Sequence, residues 1–227
     1  MGLFTTNDTG DDCAEDVFHF PTSQKLLLIF TRNPQLGQCK TRLAATVGDK
    51  TALEIYCFLL EHTVSVTKDS TADKRVYYSE EIWEKDLWEP KYYHKMLQKG
   101  NNLGERMQHA FDQGFKDGYE KIIIIGSDLY DLTQHDIEAA FRALEKDDFV
   151  IGPAEDGGYY LLGMKKPKPT IFQNKIWGSD SVLSDTLEDL KNERTVLLSQ
   201  KNDVDYYEDI KDIEVFQPFL KHLKNDE

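Results

Sequence analysis

The segment Lys121-Ile122-Ile123-Ile124-Ile125-Gly126 constrains this chain more than any other. Four consecutive β-branched residues suit a strand, and the lack of polar alternation requires apolar cover on both of its faces, as between two layers of helices. The surrounding pattern agrees. Leu103, Met107, Ala110 and Gly114 recur at helical spacing before the run, and Thr133 with Asp136 marks a helix start after it. Lys25–Phe30 and Arg75–Ser79 read as further strands, as do Met96–Gln98, Phe149–Ile151, Tyr159–Met164 and Thr195–Ser199. Helices are expected over Lys50–Val66, with Leu53, Tyr56, Cys57, Leu60 and Val64 on the packed face, and over Ser181–Lys191. Strands alternating with helices imply a right-handed, mostly parallel central sheet flanked by helices, a Rossmann-like α/β fold.

A chain of 227 residues needs only one such domain. Residues 25–227 are expected to form it, with 1–24 as a loose, flexible N-terminal arm that lacks a sustained apolar period. The formal net charge of -14 argues against nucleic acid or an anionic membrane as a partner. Cys13, Cys39 and Cys57 have neither metal-type spacing nor an even count, and the acidic N-terminus matches no signal peptide, so a cytoplasmic protein with reduced thiols is expected. Trp83, Trp88, Tyr92 and Tyr93 belong to the core, to an apolar acceptor wall or to a homodimer patch, with the core the usual place for such side chains.

Against that acidity, the loop after the first strand places Arg32, Lys40 and Arg42 within eleven residues. Gly37 permits close backbone approach, and with Thr31 and Thr41 these cations form a candidate phosphate cradle, although the Walker A spacing is missing. Asp128 follows the isoleucine strand, so in an open α/β sheet it reaches the same rim as the cradle. There it is a candidate catalytic residue and ligand for Mg2+ or Mn2+, a cation that also answers the electrostatic objection to binding phosphates. Asp203 and Asp205 offer alternate carboxylates from a second loop to the same metal. Asp156, Gly157, Gly158 and Tyr159 suit either a hairpin turn or an acceptor site in which Asp156 handles a hydroxyl. Arg106, at a helix start, is a phosphate-binding candidate or a surface ion-pair partner.

The stretches FTRNPQLGQCKTRL, GNNLGERM, GSDLYDL, IGPAEDGGYYLLGM, IWGSDSVL and DVDYYEDI, in this order, resemble the bacterial type A glycosyltransferase-like family of radical SAM/selenodomain-associated transferase 1 type, within the nucleotide-diphospho-sugar transferase superfamily. The resemblance runs from about Lys25 to Asp209. It implies a GT-A fold, a nucleotide or nucleotide-sugar donor held by Arg32, Lys40 and Arg42, a metal on Asp128, and a small-molecule acceptor at Asp156–Tyr159. Phospholactate guanylyltransferase and molybdopterin-guanine dinucleotide synthase share the architecture and transfer a nucleotidyl group, so the fold leaves glycosyl and nucleotidyl transfer both open, beside simple nucleotide binding. The sequence departs from the family pattern at Leu129-Tyr130, where a small residue and proline are usual, and at Gly178, where serine is common.

Overall fold

The computed structural model describes residues 21–223. Cys13 and most of the expected arm lie outside them. Thr22 and Gln24, assigned to that arm, are instead tied to the domain: the Thr22 amide donates to Asp73, and the Gln24 carbonyl accepts from the Glu120 amide.

Seven strands form one sheet in the order β3-β2-β1-β4-β6-β5-β7. They are β1 (Lys25–Thr31), β2 (Asp73–Tyr78), β3 (His94–Leu97), β4 (Lys121–Gly126), β5 (Phe149–Pro153), β6 (Tyr159–Met164) and β7 (Thr195–Leu197). The helices are α1 (Thr41–Val47), α2 (Asp49–Thr67), α3 (Leu103–Lys116), α4 (Gln134–Lys146) and α5 (Val182–Asp189). All neighbouring strands are parallel except at β6, which runs antiparallel to both β4 and β5. Antiparallel β6 follows from the short 154–158 turn, since two strands joined so briefly can only reverse direction.

The isoleucine run is divided between two cores. Ile122 and Ile124 face α3 with Met107 and Phe111, while Ile123 and Ile125 face Tyr56 and Leu60 of α2 and Ile137 and Phe141 of α4. Both faces are buried, which is why no polar residue interrupts the run. The single helix expected after the first loop is two helices, because Gly48, at φ 82°, breaks the α-helical path between α1 and α2. Thr133 caps α4 in a reciprocal box with Asp136, as its sequence position suggested. Trp88 and Tyr93 are buried at 2% exposure, and Trp83 and Tyr92 pack partly buried against the same core, so the aromatic group serves packing. Among the described residues no helix is long and apolar enough to cross a membrane.

Every loop that carries a candidate residue opens on one rim. β1, β4, β5 and β7 end there and β6 begins there, so the loops after Thr31, Gly126, Pro153 and Leu197 are brought together. Away from this rim, packing within the sheet depends on a small residue. At Gly163 on β6, an added Cβ would lie 2.7 Å from Val150 Cγ1 and 2.9 Å from Ile123 Cγ1. Alanine is ordinarily the better strand residue by roughly 0.5–1 kcal/mol, but two stiff neighbours make overpacking the larger effect. Gly163→Ala is expected to destabilise the protein by about 1–3 kcal/mol in urea unfolding, with an unchanged m-value.

Candidate functional site

Lys40 is the centre of the rim. Its Nζ lies 2.8 Å from Asp128 Oδ2 and 3.0 Å from Asp205 Oδ1, with only 4% of the side chain exposed. Burial works against the ammonium charge, but Asp128 and Asp205 outweigh it and hold the pKa above that of an ordinary lysine. The backbone at Lys40 is left-handed, φ 49° and ψ 46°, an uncommon state for a side chain of this type. Arg42 donates to the other oxygen of Asp205 at 3.0 Å and lies over the Tyr206 ring. Desolvation pushes the Asp128 carboxyl up, whereas Lys40 and then Arg32 pull it down further, so the net effect keeps it ionised.

Two other groups set this geometry. Tyr56 Oη accepts from the Arg32 amide at 3.0 Å, and Ser127 Oγ donates to Thr31 Oγ1 at 3.1 Å, with Tyr56 Oη 3.4 Å from Ser127 Oγ. This buried knot ties the ends of β1 and β4 together. Thr31, expected at the phosphate, is therefore buried at 3% exposure and used for positioning. The hydroxyl of Tyr56 was hidden in the sequence behind its place on the packed face of a helix.

The remaining candidates divide by role. Gly37 is at φ 73° in an exposed turn, and a Cβ there would meet only Asp49 at 3.7 Å, so the residue serves turn geometry more than close approach. Thr41 begins α1 on the surface. Arg106 is not the surface ion-pair partner that its position allowed: Nε donates to the Gly100 carbonyl and Nη1 to Gln98, whose amide donates to the carbonyls of Thr31 and Tyr77. It braces the 98–102 loop against β1.

Residues 154–158 form a hairpin turn, with the Ala154 amide donating to the Gly158 carbonyl and the Gly158 amide to Asp156 Oδ1. Gly157 does not offer bare backbone to a ligand as expected. A Cβ there would stand 2.2 Å from the Asp180 carbonyl oxygen, so the glycine allows the two loops to touch. Asp156, Gly158 and Tyr159 do line a cavity of about 240 Å3, together with Asp203, Trp177 and Met107. Asp203 arrives there because the chain after β7 continues along the hairpin, where the Lys201 amide donates to the Pro153 carbonyl and the Glu155 amide to the Lys201 carbonyl. Asp209 then shapes the next turn by accepting from the amides of Asp205 and Tyr206.

Over residues 62–179 the sequence matches the model of a bacterial family described as "Uncharacterized protein conserved in bacteria (DUF2064)". The chain belongs to this DUF2064 family. The fold is also similar to that of a Desulfovibrio desulfuricans G20 protein described as a "putative nucleotide-diphospho-sugar transferase", with 29% identity and a TM-score of 0.76 over 89% of this chain and 96% of that one. A 4-diphosphocytidyl-2C-methyl-D-erythritol synthase from Anaerococcus prevotii DSM 20548 aligns at 9% identity and TM-score 0.53, over 88% and 97% of the two chains. A cytidylyltransferase from Leptospira borgpetersenii aligns at 14% and 0.50, over 89% and 94%. The last two show the fold alone. No curated protein matches the sequence.

In this DUF2064 member, the unusual Tyr130 turns away from the carboxylates. Its ring packs 5.2 Å from Phe216, 5.1 Å from His62 and 6.0 Å from Phe58, where it covers the C-terminal segment. Asp203 carries the strongest electrostatic conflict at the rim. Burial first, then repulsion from Asp128 and Asp156, raises its pKa from 3.8 to about 7, while Lys40 only partly opposes the shift. The folded state thus holds the Asp203 proton more tightly than the unfolded chain does. The associated stability is complete below pH 4 and is lost as pH rises through about 7. Asp203→Asn is therefore expected to stabilise the metal-free protein above pH 7, by on the order of 2 kcal/mol once solvent screening is discounted. The advantage shrinks toward zero at pH 4, as thermal melts in EDTA across that range will show.

Proposed function

We propose that this protein is a nucleotide-using transferase that moves a glycosyl group from a nucleotide-sugar to a small-molecule acceptor, with Mg2+ or Mn2+ as cofactor. The observation that carries the reading is the buried Lys40 ammonium, held between Asp128 and Asp205 on a rim that also gathers Arg32 and Arg42. The likeness to the Desulfovibrio protein adds support at the level of reaction class.

The donor set suits a hard divalent cation. Mg2+ commonly takes one or two carboxylates and completes its shell with phosphate oxygens and water. Asp128 and Asp203 have that chemistry, and their mutual repulsion is what a cation relieves. Among the described residues no three His, Cys, Asp or Glu side chains form a ready ligand set. Asp205 fits less well, because its two oxygens hold Lys40 and Arg42. When bound, the ion supplies charge neutralisation to the departing diphosphate.

The chain's own groups do the rest. Arg32, Lys40 and Arg42 attract and orient the phosphates through charge-assisted hydrogen bonds. Asp128 keeps Lys40 charged and in place. Asp156, exposed at the cavity mouth, accepts a hydrogen bond from the acceptor hydroxyl and directs it toward the donor. Three cations in one loop also suit a triphosphate, which favours a second reading, nucleotidyl transfer to a phosphorylated acceptor. Release of pyrophosphate separates the two reactions.

Thermal melts with a panel of nucleoside diphosphates, triphosphates and nucleotide-sugars, each in EDTA or Mn2+, test the proposal. At least one ligand is expected to raise Tm in Mn2+ and much less in EDTA, and Asp128→Ala should remove the metal effect. Lys40→Ala should weaken nucleotide binding roughly 10–100-fold, the loss of one charge-assisted hydrogen bond from the N–H that Asp128 and Asp205 do not use. Absence of any nucleotide-induced shift under either condition would overturn the transferase reading.

A further inference from the structure

The rim is electrically divided. Arg32, Lys40 and Arg42 lie on the loop after β1 and the first turn of α1, whereas the lining of the 240 Å3 cavity beside them contains two carboxylates, Asp156 and Asp203, and no lysine, arginine or histidine. Asp128 stands between the two halves, bonded to Lys40 on one side and coupled to Asp203 on the other. The rest of the cavity wall is largely apolar and aromatic, with Phe30, Met107, Tyr159, Trp177 and Val182.

This wall is built. Gly104 lets Trp177 lie against α3, since a Cβ at that position would be 2.5 Å from Trp177 Nε1. The Leu183 amide donates to the Gly157 carbonyl at 2.9 Å, which fastens the loop bearing Gly178 and Ser179 to the hairpin bearing Asp156. Tyr159 lines the cavity, and its hydroxyl is buried with no hydrogen-bond partner. A dry cavity of about 150 Å3 accepts benzene, so 240 Å3 has room for a ring or short branched chain with a polar substituent.

A phosphate ester entering this cavity would meet Asp156 and, in the metal-free protein, Asp203, with no basic side chain in the lining to hold it, whereas a hydroxyl or an ammonium would find an acceptor in Asp156. We propose that the cavity is the acceptor subsite and that it selects an unphosphorylated acceptor, neutral or cationic, whose apolar body lies between Met107, Tyr159 and Trp177. This rests on the transferase reading above and sharpens it, because it favours glycosyl transfer to a hydroxyl or amine over nucleotidyl transfer to a phosphorylated acceptor.

Benzyl alcohol, benzylamine and benzyl phosphate form a matched probe set, with binding to the full chain in EDTA followed by saturation-transfer NMR. The amine and alcohol are expected to bind, and the phosphate ester at least about tenfold more weakly, on the order expected for one like-charge contact in a partly screened cleft. The double variant Asp156→Asn/Asp203→Asn should bring the three probes to within a few-fold of one another, while Trp177→Ala should weaken all three. Equal binding of benzyl phosphate to the unmodified chain, or binding of no probe, would overturn the proposal. Displacement of benzylamine by uridine, guanosine or adenosine would also overturn it, by giving the cavity to the donor's base. Melts with UDP or GDP and Mn2+ on the same samples distinguish the failures: retained nucleotide binding condemns the acceptor assignment alone, and loss of both condemns the transferase reading as well.

Discussion

The rim depends on one buried ammonium. Lys40 sits in a left-handed backbone conformation, a cost of order 1–3 kcal/mol for a residue with a side chain, and has lost nearly all contact with water. Neither state is favourable by itself. What offsets both is the pair of short contacts to Asp128 and Asp205, which come from loops 88 and 165 residues further along the chain. The interaction therefore acts as a tertiary clasp: it exists only when β1, β4 and the segment after β7 are in register. Removing either carboxylate would leave a buried charge underpaired, which is far more damaging than losing a surface ion pair.

The clasp explains how much of the molecule was legible in the sequence. The isoleucine run dictated two-sided cover and hence a wound sheet, and the rim position of Asp128 followed from the rule that loops after parallel strands share one edge. That Lys40 and Asp128 reach one rim was thus accessible from topology, whereas their direct ion pair was not. The hairpin reading of the Asp156–Tyr159 turn already allowed an antiparallel β6, but its place between β4 and β5 was less visible, because an apolar strand such as Tyr160-Leu161-Leu162 does not name its neighbours. The break at Gly48 was masked by the strong helical period that follows it.

Side-chain roles were harder to read where one residue type serves two purposes. Thr31 and Arg106 look like phosphate ligands by type and position, but the structure spends their hydrogen bonds on fastening strand ends to loops. Gly157 is paired with Gly158 in a way that suggests open backbone, and only the approach of Asp180 reveals a loop-to-loop contact. Tyr130 is the reverse case. It departs from the family pattern two residues after Asp128, yet its ring belongs to an aromatic group with Phe58, Phe216 and Phe219 that seats the C-terminal segment. That segment had no strong helical or strand period of its own, so its packing surface was invisible until the partner ring was located.

Gathering Arg32, Lys40 and Arg42, with their partners Asp128 and Asp205, on one side of the rim and apart from Asp156 and Asp203 resolves the tension between a net charge of -14 and an anionic ligand. A uniformly acidic rim would repel phosphates, and a uniformly basic one would leave no reason for Asp203 to be held near Asp128 and Asp156 against their repulsion. Segregation lets each charge act over the short distance at which it is effective, because exposed charges more than about 8–10 Å apart are largely screened at physiological salt. The Tyr56, Thr31 and Ser127 knot lies beneath the boundary, at the joined ends of β1 and β4. Loosening it would let the Lys40 loop move independently of Asp128, so the separation of charge is a property of the sheet's rigid edge, and not of the loops alone.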